Sequence, residues 1–258
     1  MNPARQPFGL RFWLVTLAAL VAMVVTASLG RWQLSRAAQK TALQAAMDER
    51  QSRAPLQGAE LAQALQSASQ EATAPLLHRR AELRGQWLPE ATVFLENRQM
   101  YGRPGFFVFT PLQLADSPRV VLVQRGWAPR NFLERTRLPE ITTPAGPVQL
   151  EGRLAGPPAR LYEFTPTAQG EGSSRIRQNL DLAAYGAETG LALAPLTVVQ
   201  TGAASDGLQR DWAPIDSGVD KHYGYAFQWF GLCGLVAILY VWFQFVRRFL
   251  RPGRQRGA

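Results

Sequence analysis

Two residue types that commonly build reactive sites are scarce in this chain of 258 residues, which has one cysteine and two histidines. Cys233 alone excludes a disulfide framework and a zinc site within the monomer, and its place inside an apolar run marks it as small filler. With only His78 and His222 as imidazoles, a Ser-His-Asp triad would have to recruit His78. The chain also lacks a nucleophile elbow, a zinc-binding His-Glu-x-x-His and a phosphate loop, so an enzyme is not the expected class. No basic stripe interleaved with aromatics is present, which argues against a nucleic-acid partner despite a pI near 10.5. No internal repeat is evident.

Long apolar runs, by contrast, are present, one near each end. Phe12 to Leu29 holds eighteen positions without a charge, and Tyr223 to Val246 holds twenty-four whose only strongly polar members are Gln228 and Gln244. About 20 apolar residues cross the hydrocarbon layer of a bilayer, so both runs qualify as spans. A cleaved signal peptide is the competing reading of the first, since Val25-Thr26-Ala27 loosely fits a cleavage site. Its length and the bracketing Trp13 and Trp32 favour an anchor.

Charge sets the orientation. Arg247, Arg248, Arg251, Arg254 and Arg256 follow the second run, whereas Lys221 precedes it among Asp211, Asp216 and Asp220. The positive-inside rule then places the C-terminus, and with two spans also the N-terminus, in the cytoplasm. Most of the formal charge of +9 is this topology signal, because residues 31–221 hold 21 basic and 19 acidic groups. The basic ends can also touch anionic lipid.

The expected organisation is a cytoplasmic N-terminus (1–11), a first transmembrane helix (12–30), an extracytoplasmic domain (31–221), a second transmembrane helix (222–246) and a basic cytoplasmic tail (247–258). Gly30 to Arg53 continues in helix-forming residues, as an extension along the membrane surface or back onto the domain. Gly58 to Glu71 reads as a further helical stretch. From Leu77 the pattern becomes β, with candidate strands Leu77–Leu88, Thr92–Arg98, Phe106–Leu114, Val120–Trp127, Val148–Ala155, Arg175–Asn179 and Leu196–Gln200. A short helix is expected at Leu182–Thr189, and loops at Pro144–Pro147 and Gly170–Ser174. The fold class is therefore an α+β membrane protein whose two transmembrane helices bracket a mainly antiparallel β domain, a small barrel or a sheet.

Four clusters stand out. The first is Leu29-Gly30-Arg31-Trp32-Gln33-Leu34 with Arg36 and Lys40, where an interfacial tryptophan and snorkelling arginines are the plain reading. The second runs from Gly85 to Leu112, including Leu95-Glu96-Asn97-Arg98 and Gly102-Arg103-Pro104-Gly105-Phe106, and reads as a hairpin turning through Gln99 to Gly105. The third is Val121 to Pro129, containing Arg125-Gly126-Trp127. The fourth is Lys221-His222-Tyr223-Gly224-Tyr225-Ala226-Phe227-Gln228-Trp229-Phe230.

In this order, with one span at each end, the clusters resemble the Surf1/Shy1 family of cytochrome c oxidase assembly factors over roughly residues 29–246. One departure is Gln39 before Lys40, where relatives often carry tryptophan. The resemblance implies an inner-membrane protein that helps mature the haem-containing subunit I of the oxidase, with bacterial members handling haem a and a haem a synthase as a further partner. The stretch before Phe12 has no Arg-rich, Ser-rich transit character, which favours a bacterial plasma membrane with the domain in the periplasm.

A haem handler needs a reversible iron ligand, and imidazole is a common one. His222 shares a helical face with Ala226, Trp229, Cys233 and Tyr240 at the membrane boundary, and it is the expected ligand, with Trp229 and Tyr225 beside the macrocycle. The plain alternative is a polar residue hydrogen-bonding at the interface. Arg98, Arg103 and Arg125 are candidates for propionates or an acidic partner, against ordinary surface or turn roles. Gly30, Trp32, Gln33, Gly126, Trp127 and Gln228 are expected to serve partner contacts or structure. A stripe of Gly224, Gln228 and Gly231 is expected to pack on Ala19, Thr26 and Gly30, leaving the His222 face open. The rival to a haem handler is a scaffold that holds oxidase intermediates without touching haem.

Overall fold

The computed structural model describes residues 9–65, 70–115, 117–134, 137–162, 175–212 and 218–247. The chain divides into two compact units, one formed by Met1–Ala45 with Ile215–Ala258 and the other by Ala46–Pro214.

The first unit is built on two helices. Helix α1 runs without a break over Leu10–Ser52, so the helix-forming residues after Gly30 continue the apolar segment. Its counterpart from the other end of the chain, Val219–Val241, closes with a π-helical turn at Trp242–Val246. Both are long and apolar enough to cross a membrane. They run antiparallel, as the order of their partners shows: His222 meets Gln33, Cys233 meets the Met23 carbonyl, Tyr240 meets Thr16 and Phe245 meets Phe12. On α1 the buried positions are Thr26, Gly30, Gln33 and Ala37, spaced three and four apart as a single seam requires.

Among the described residues the second unit holds eight strands and three short helices. In chain order these are β1 (Leu56–Gln57), α2 (Gly58–Ala64), α3 (Gln70–Thr73), β2 (Arg80–Trp87), β3 (Val93–Met100), β4 (Arg103–Leu114), β5 (Val120–Pro129), β6 (Pro147–Ala155), β7 (Ile176–Arg177), α4 (Leu182–Thr189) and β8 (Leu193–Gln200). The C-terminal helix Val219–Val241 is α5.

The strands form one mixed sheet in the order β1-β2-β6-β8-β5-β4-β3-β7, with a further pairing of β2 to β4. That extra pairing links Gly85, Gln86 and Trp87 to Leu114, Gln113 and Leu112. The pairings therefore return on themselves through β2, β6, β8, β5 and β4. Gly85 permits this approach, since a Cβ there would lie 2.2 Å from the Gln113 carbonyl oxygen. The largest core cluster contains the alternate side chains of these strands, Ala81, Leu83, Trp87, Leu112, Leu114, Val121, Val123, Leu150, Leu154, Leu196 and Val198, and Leu61 and Leu65 from α2 and its cap close over it.

Several elements differ from the sequence expectation for local reasons. Pairing of β2 starts at Arg80 rather than Leu77, because Ala74–Leu76 is a 3-10 turn and His78 takes a left-handed φ of 72°. The β3–β4 loop contracts to Tyr101-Gly102, with φ of 50° and 72°, the signs of a tight primed turn that suits the twist of a hairpin. The helical stretch Gly58–Glu71 resolves into α2 and α3. Parallel pairings β1–β2, β3–β7 and β5–β8 make the sheet mixed. Helix α4 has the expected bounds, capped by the Asp181 carboxylate accepting from Ala184 N at 2.9 Å and ended by Gly190 at φ 68°. The expected loop at Gly170–Ser174 and the tail arginines beyond Arg247 lie outside the described residues.

Candidate functional site

Within the helix pair, His222 and Gln33 form the most specific polar contact. Gln33 sits on the buried seam of α1, and His222 lies one turn into α5. His222 Nδ1 is 2.7 Å from Gln33 Oε1. An amide oxygen only accepts, so Nδ1 carries the proton and donates it, an arrangement that in a neutral imidazole puts the lone pair on Nε2. Among the described residues Nε2 has no protein partner. Metal-binding histidines are commonly oriented in this way, by a hydrogen bond from the nitrogen that does not bind the metal.

The seam explains why His222 is so held. Polar groups in a lipid-facing helix seek partners, and small residues let helices approach. Thr16 Oγ1 lies 2.9 Å from Tyr240 Oη, and a Cβ at Gly30 would come within 2.8 Å of the Phe230 ring. The α1 stripe of Ala19, Thr26 and Gly30 does face α5. The α5 stripe does not face α1: glycines 224 and 231 have open space where a side chain would project, and Gln228 is exposed. The face that packs is the one bearing His222, Ala226, Cys233 and Tyr240, which corrects the expectation that it stays open. Size was the misleading signal, because a glycine on the outward face of a helix and a glycine in a helix seam look alike in sequence. Trp229 is half-buried at the margin of this face, and Tyr225 is exposed. Trp32 is exposed on α1, and the Lys40 ammonium lies 3.7 Å from where a Gly218 Cβ would stand.

The remaining sequence candidates lie in the second unit. Arg98 is buried and donates to the carbonyls of Ala159 at 2.8 Å and Gln178 at 3.1 Å. Burial holds its pKa below the usual guanidinium value. Trp127 is buried, donating from Nε1 to the Arg98 carbonyl at 2.9 Å. Gly126 lies against Leu208, whose Cβ would be 2.6 Å from an added methyl. These residues are joined in one structural patch, whereas Arg103 is exposed at the hairpin. His78 sits before β2 with Nδ1 3.5 Å from Arg153, and burial, then Arg153 and Arg50, lower its pKa.

Arg125 has a different place from the surface role considered for it. Its side chain is fully buried, with the guanidinium over the Trp87 ring. It donates to Thr143 Oγ1 at 2.7 Å, the Thr142 carbonyl at 2.8 Å and the Asp206 carboxylate at 2.9 Å. Arg210 joins the group, donating from Nε to the Arg125 carbonyl and lying 3.6 Å from Asp206. Asp206, Thr143 and Arg210 were not marked by sequence. The alternation of Val121 and Val123 does carry a signal, since Arg125 continues the inward series. Among the described residues no group of three or more His, Cys, Asp or Glu is placed to hold a metal ion.

Comparison with known proteins gives a consistent result. A family model described as the SURF1 family matches residues 20–234. A SURF1-like protein of Rickettsia bellii is 24% identical over 236 residues, covering 87% of this chain and 88% of that protein. One from Rickettsia felis is 28% identical over 113 residues, 43% of this chain and 45% of its own length. One from Drosophila melanogaster is 33% identical over 150 residues, 56% of this chain and 46% of its own. The matches to these last two thus span under half of either relative.

Proposed function

Because this chain belongs to the SURF1 family, we propose that it is an assembly factor for cytochrome c oxidase that holds haem a on the helix pair and assists its insertion into the catalytic subunit. The observation that carries this reading is the His222–Gln33 hydrogen bond of 2.7 Å, which leaves Nε2 as a donor to iron. Haem a, when bound, would supply an iron centre that takes an imidazole ligand and an apolar ring. One histidine ligand fits a carrier, because a single coordinate bond is exchangeable. The donor set therefore suits the group.

The roles of this chain's residues follow from their chemistry. Gln33 fixes the ring orientation and tautomer of His222. Trp229 and Tyr225 offer aromatic surface beside it. Lys40 and Lys221 supply cations at the same end of the helix pair, where carboxylates of the ligand would meet water. Arg98 is already committed to two carbonyls and does not fit a propionate role. Arg103 is exposed and able to meet an acidic partner.

The apolar helices and the basic tail support a two-pass protein of the bacterial inner membrane, with both termini in the cytoplasm and the β domain in the periplasm. Subunit I of the oxidase and a haem a synthase are the proposed partners, and the role is binding and hand-over rather than turnover. The test is to express the full chain with haem a synthesis and record the spectrum of the purified protein. Stoichiometric haem that is lost in His222→Ala supports the reading. Substoichiometric haem unaffected by that change leaves a scaffold that holds assembly intermediates.

A further inference from the structure

The β unit contains a half-open cavity of about 340 Å³ between the 3-10 turn Pro89–Ala91, the start of β3, the segment 138–143 and Arg175. Liquid water takes about 30 Å³ per molecule, so the space suits a ligand of roughly ten to fifteen non-hydrogen atoms, a small molecule rather than a peptide segment. Phe94, Leu138 and Ile141 give it an apolar wall and belong to one core cluster, with Pro89 and Pro139 beside them.

The polar groups that line the cavity are donors with capacity to spare. Arg175 lies over the Phe94 ring, 5.7 Å from its centroid, and reaches the Thr92 carbonyl at 3.3 Å and the Pro89 carbonyl at 3.5 Å. Both bonds are long, and among the described residues its guanidinium makes no salt bridge. Thr143 Oγ1 accepts from Arg125 at 2.7 Å, which leaves the proton of its own hydroxyl unspent. The hydroxyls of Thr92 and Thr110 are 3.0 Å apart, and one of the two must accept. Thr110 is fully buried and does not line the cavity, so the pair is best satisfied when Thr110 donates and Thr92 turns its proton to the cavity.

Charge favours an anion. Behind Thr143, Arg125 and Arg210 share the single carboxylate of Asp206, at 2.9 Å and 3.6 Å. Glu90 and Glu140 are neighbours of lining residues in sequence, but both are exposed and neither lines the cavity. A guanidinium fork with two hydroxyl donors suits a carboxylate, and the apolar wall suits a hydrocarbon body.

We propose that this cavity binds a small apolar carboxylic acid. Arg175 takes the carboxylate with the Thr143 and Thr92 hydroxyls, and the body of the acid lies against Phe94, Leu138 and Ile141. The site lies wholly within the β unit and is independent of the His222–Gln33 pair.

The test titrates the full chain, in lipid nanodiscs, with phenylbutyrate and with its neutral amide, and reads the bound fraction by ligand-observed NMR. The acid should saturate, and the amide should bind at least about tenfold more weakly, because it forfeits the charge-assisted bonds. Arg175→Gln, at an exposed position, should weaken the acid by a similar factor. Leu138→Trp should abolish binding by filling the cavity, and Arg84→Gln, on the exposed face of β2, should leave it as in the parent. Thermal unfolding as in the parent qualifies each variant. An amide that binds as tightly as the acid, or an Arg175→Gln variant with the parent's affinity, overturns the proposal. So does a lack of saturation by about 10 mM, and binding that survives Leu138→Trp refutes this cavity as the site.

Discussion

Arg125 on β5 places its guanidinium 4.7 Å from the ring centroid of Trp87 on β2, although the two strands are not neighbours and β4 lies between them. The pair closes one end of the main core, and its polar edge ties in Thr142, Thr143 and Asp206. Removing a buried charge from its partners leaves the others unpaired, so Arg125→Ala should lose about 3–5 kcal/mol of stability. Arg125→Lys should recover little, because an ammonium cannot stack and serve three acceptors in the same plane. Chemical denaturation of the detergent-solubilised chain measures both. A lysine variant as stable as the parent would contradict the stacking argument.

The helix seam makes an asymmetric prediction about glycines. Gly30→Val puts a branched side chain into the Phe230 ring, whereas Gly231→Val projects into open space. The first should weaken disulfide trapping between cysteines placed at Thr16 and Tyr240, and the second should leave trapping as in the parent. Equal effects would mean that the helices meet on another face.

Gln33→Leu removes the acceptor for His222 Nδ1 and frees the ring to turn. Loss of such an orienting partner typically lowers metal affinity by about 10–100-fold, and a similar fall in haem retention is expected. Gln33→Glu keeps an acceptor and should retain haem. If His222→Ala abolishes the haem spectrum while Gln33→Leu leaves it unchanged, the orienting role is wrong and the ligand assignment survives.

Tyr185 connects α4 to the 3-10 turn before β3 by donating its hydroxyl to the Ala91 carbonyl. Burial, the largest cause, pushes its pKa up to about 12 from the ordinary tyrosine value of 10.0. The folded state keeps this proton where the unfolded chain releases it. Stability from this group is therefore intact below pH 10.0 and lost as pH rises towards about 12. Ultraviolet titration of the phenolate should show one tyrosine ionising late, absent in Tyr185→Phe, which should itself cost about 1 kcal/mol for the lost hydrogen bond.

Local features of this fold were legible in the sequence because local chemistry sets them. Leu182–Thr189 reads as a helix since Asp181 can cap it and Gly190 can end it. Alternation in Val148–Ala155 and Val120–Trp127 marks strands with one buried face. Closure of β2 onto β4 was not legible, because it depends on Gly85 meeting Gln113, and nothing within either segment announces the other. The same limit affected the site. His222 and Gln33 are 189 positions apart, and their pairing follows from a seam whose α5 half was assigned to the wrong face. Arg125 was visible as an inward position but not as a stacked cation, since Trp87 and Asp206 reach it from distant parts of the chain.

The position of β8 has a consequence for how the chain is made. It lies between β5 and β6, pairing parallel with one and antiparallel with the other. Until residues 193–200 have left the ribosome, both flanking strands present unpaired edges, and the sheet cannot complete its circuit. Contacts this distant in sequence form slowly, and exposed edges invite association with other chains. Synthesis then proceeds almost at once to the apolar residues of α5, so the strand that completes the sheet and the last apolar helix emerge within the same short interval.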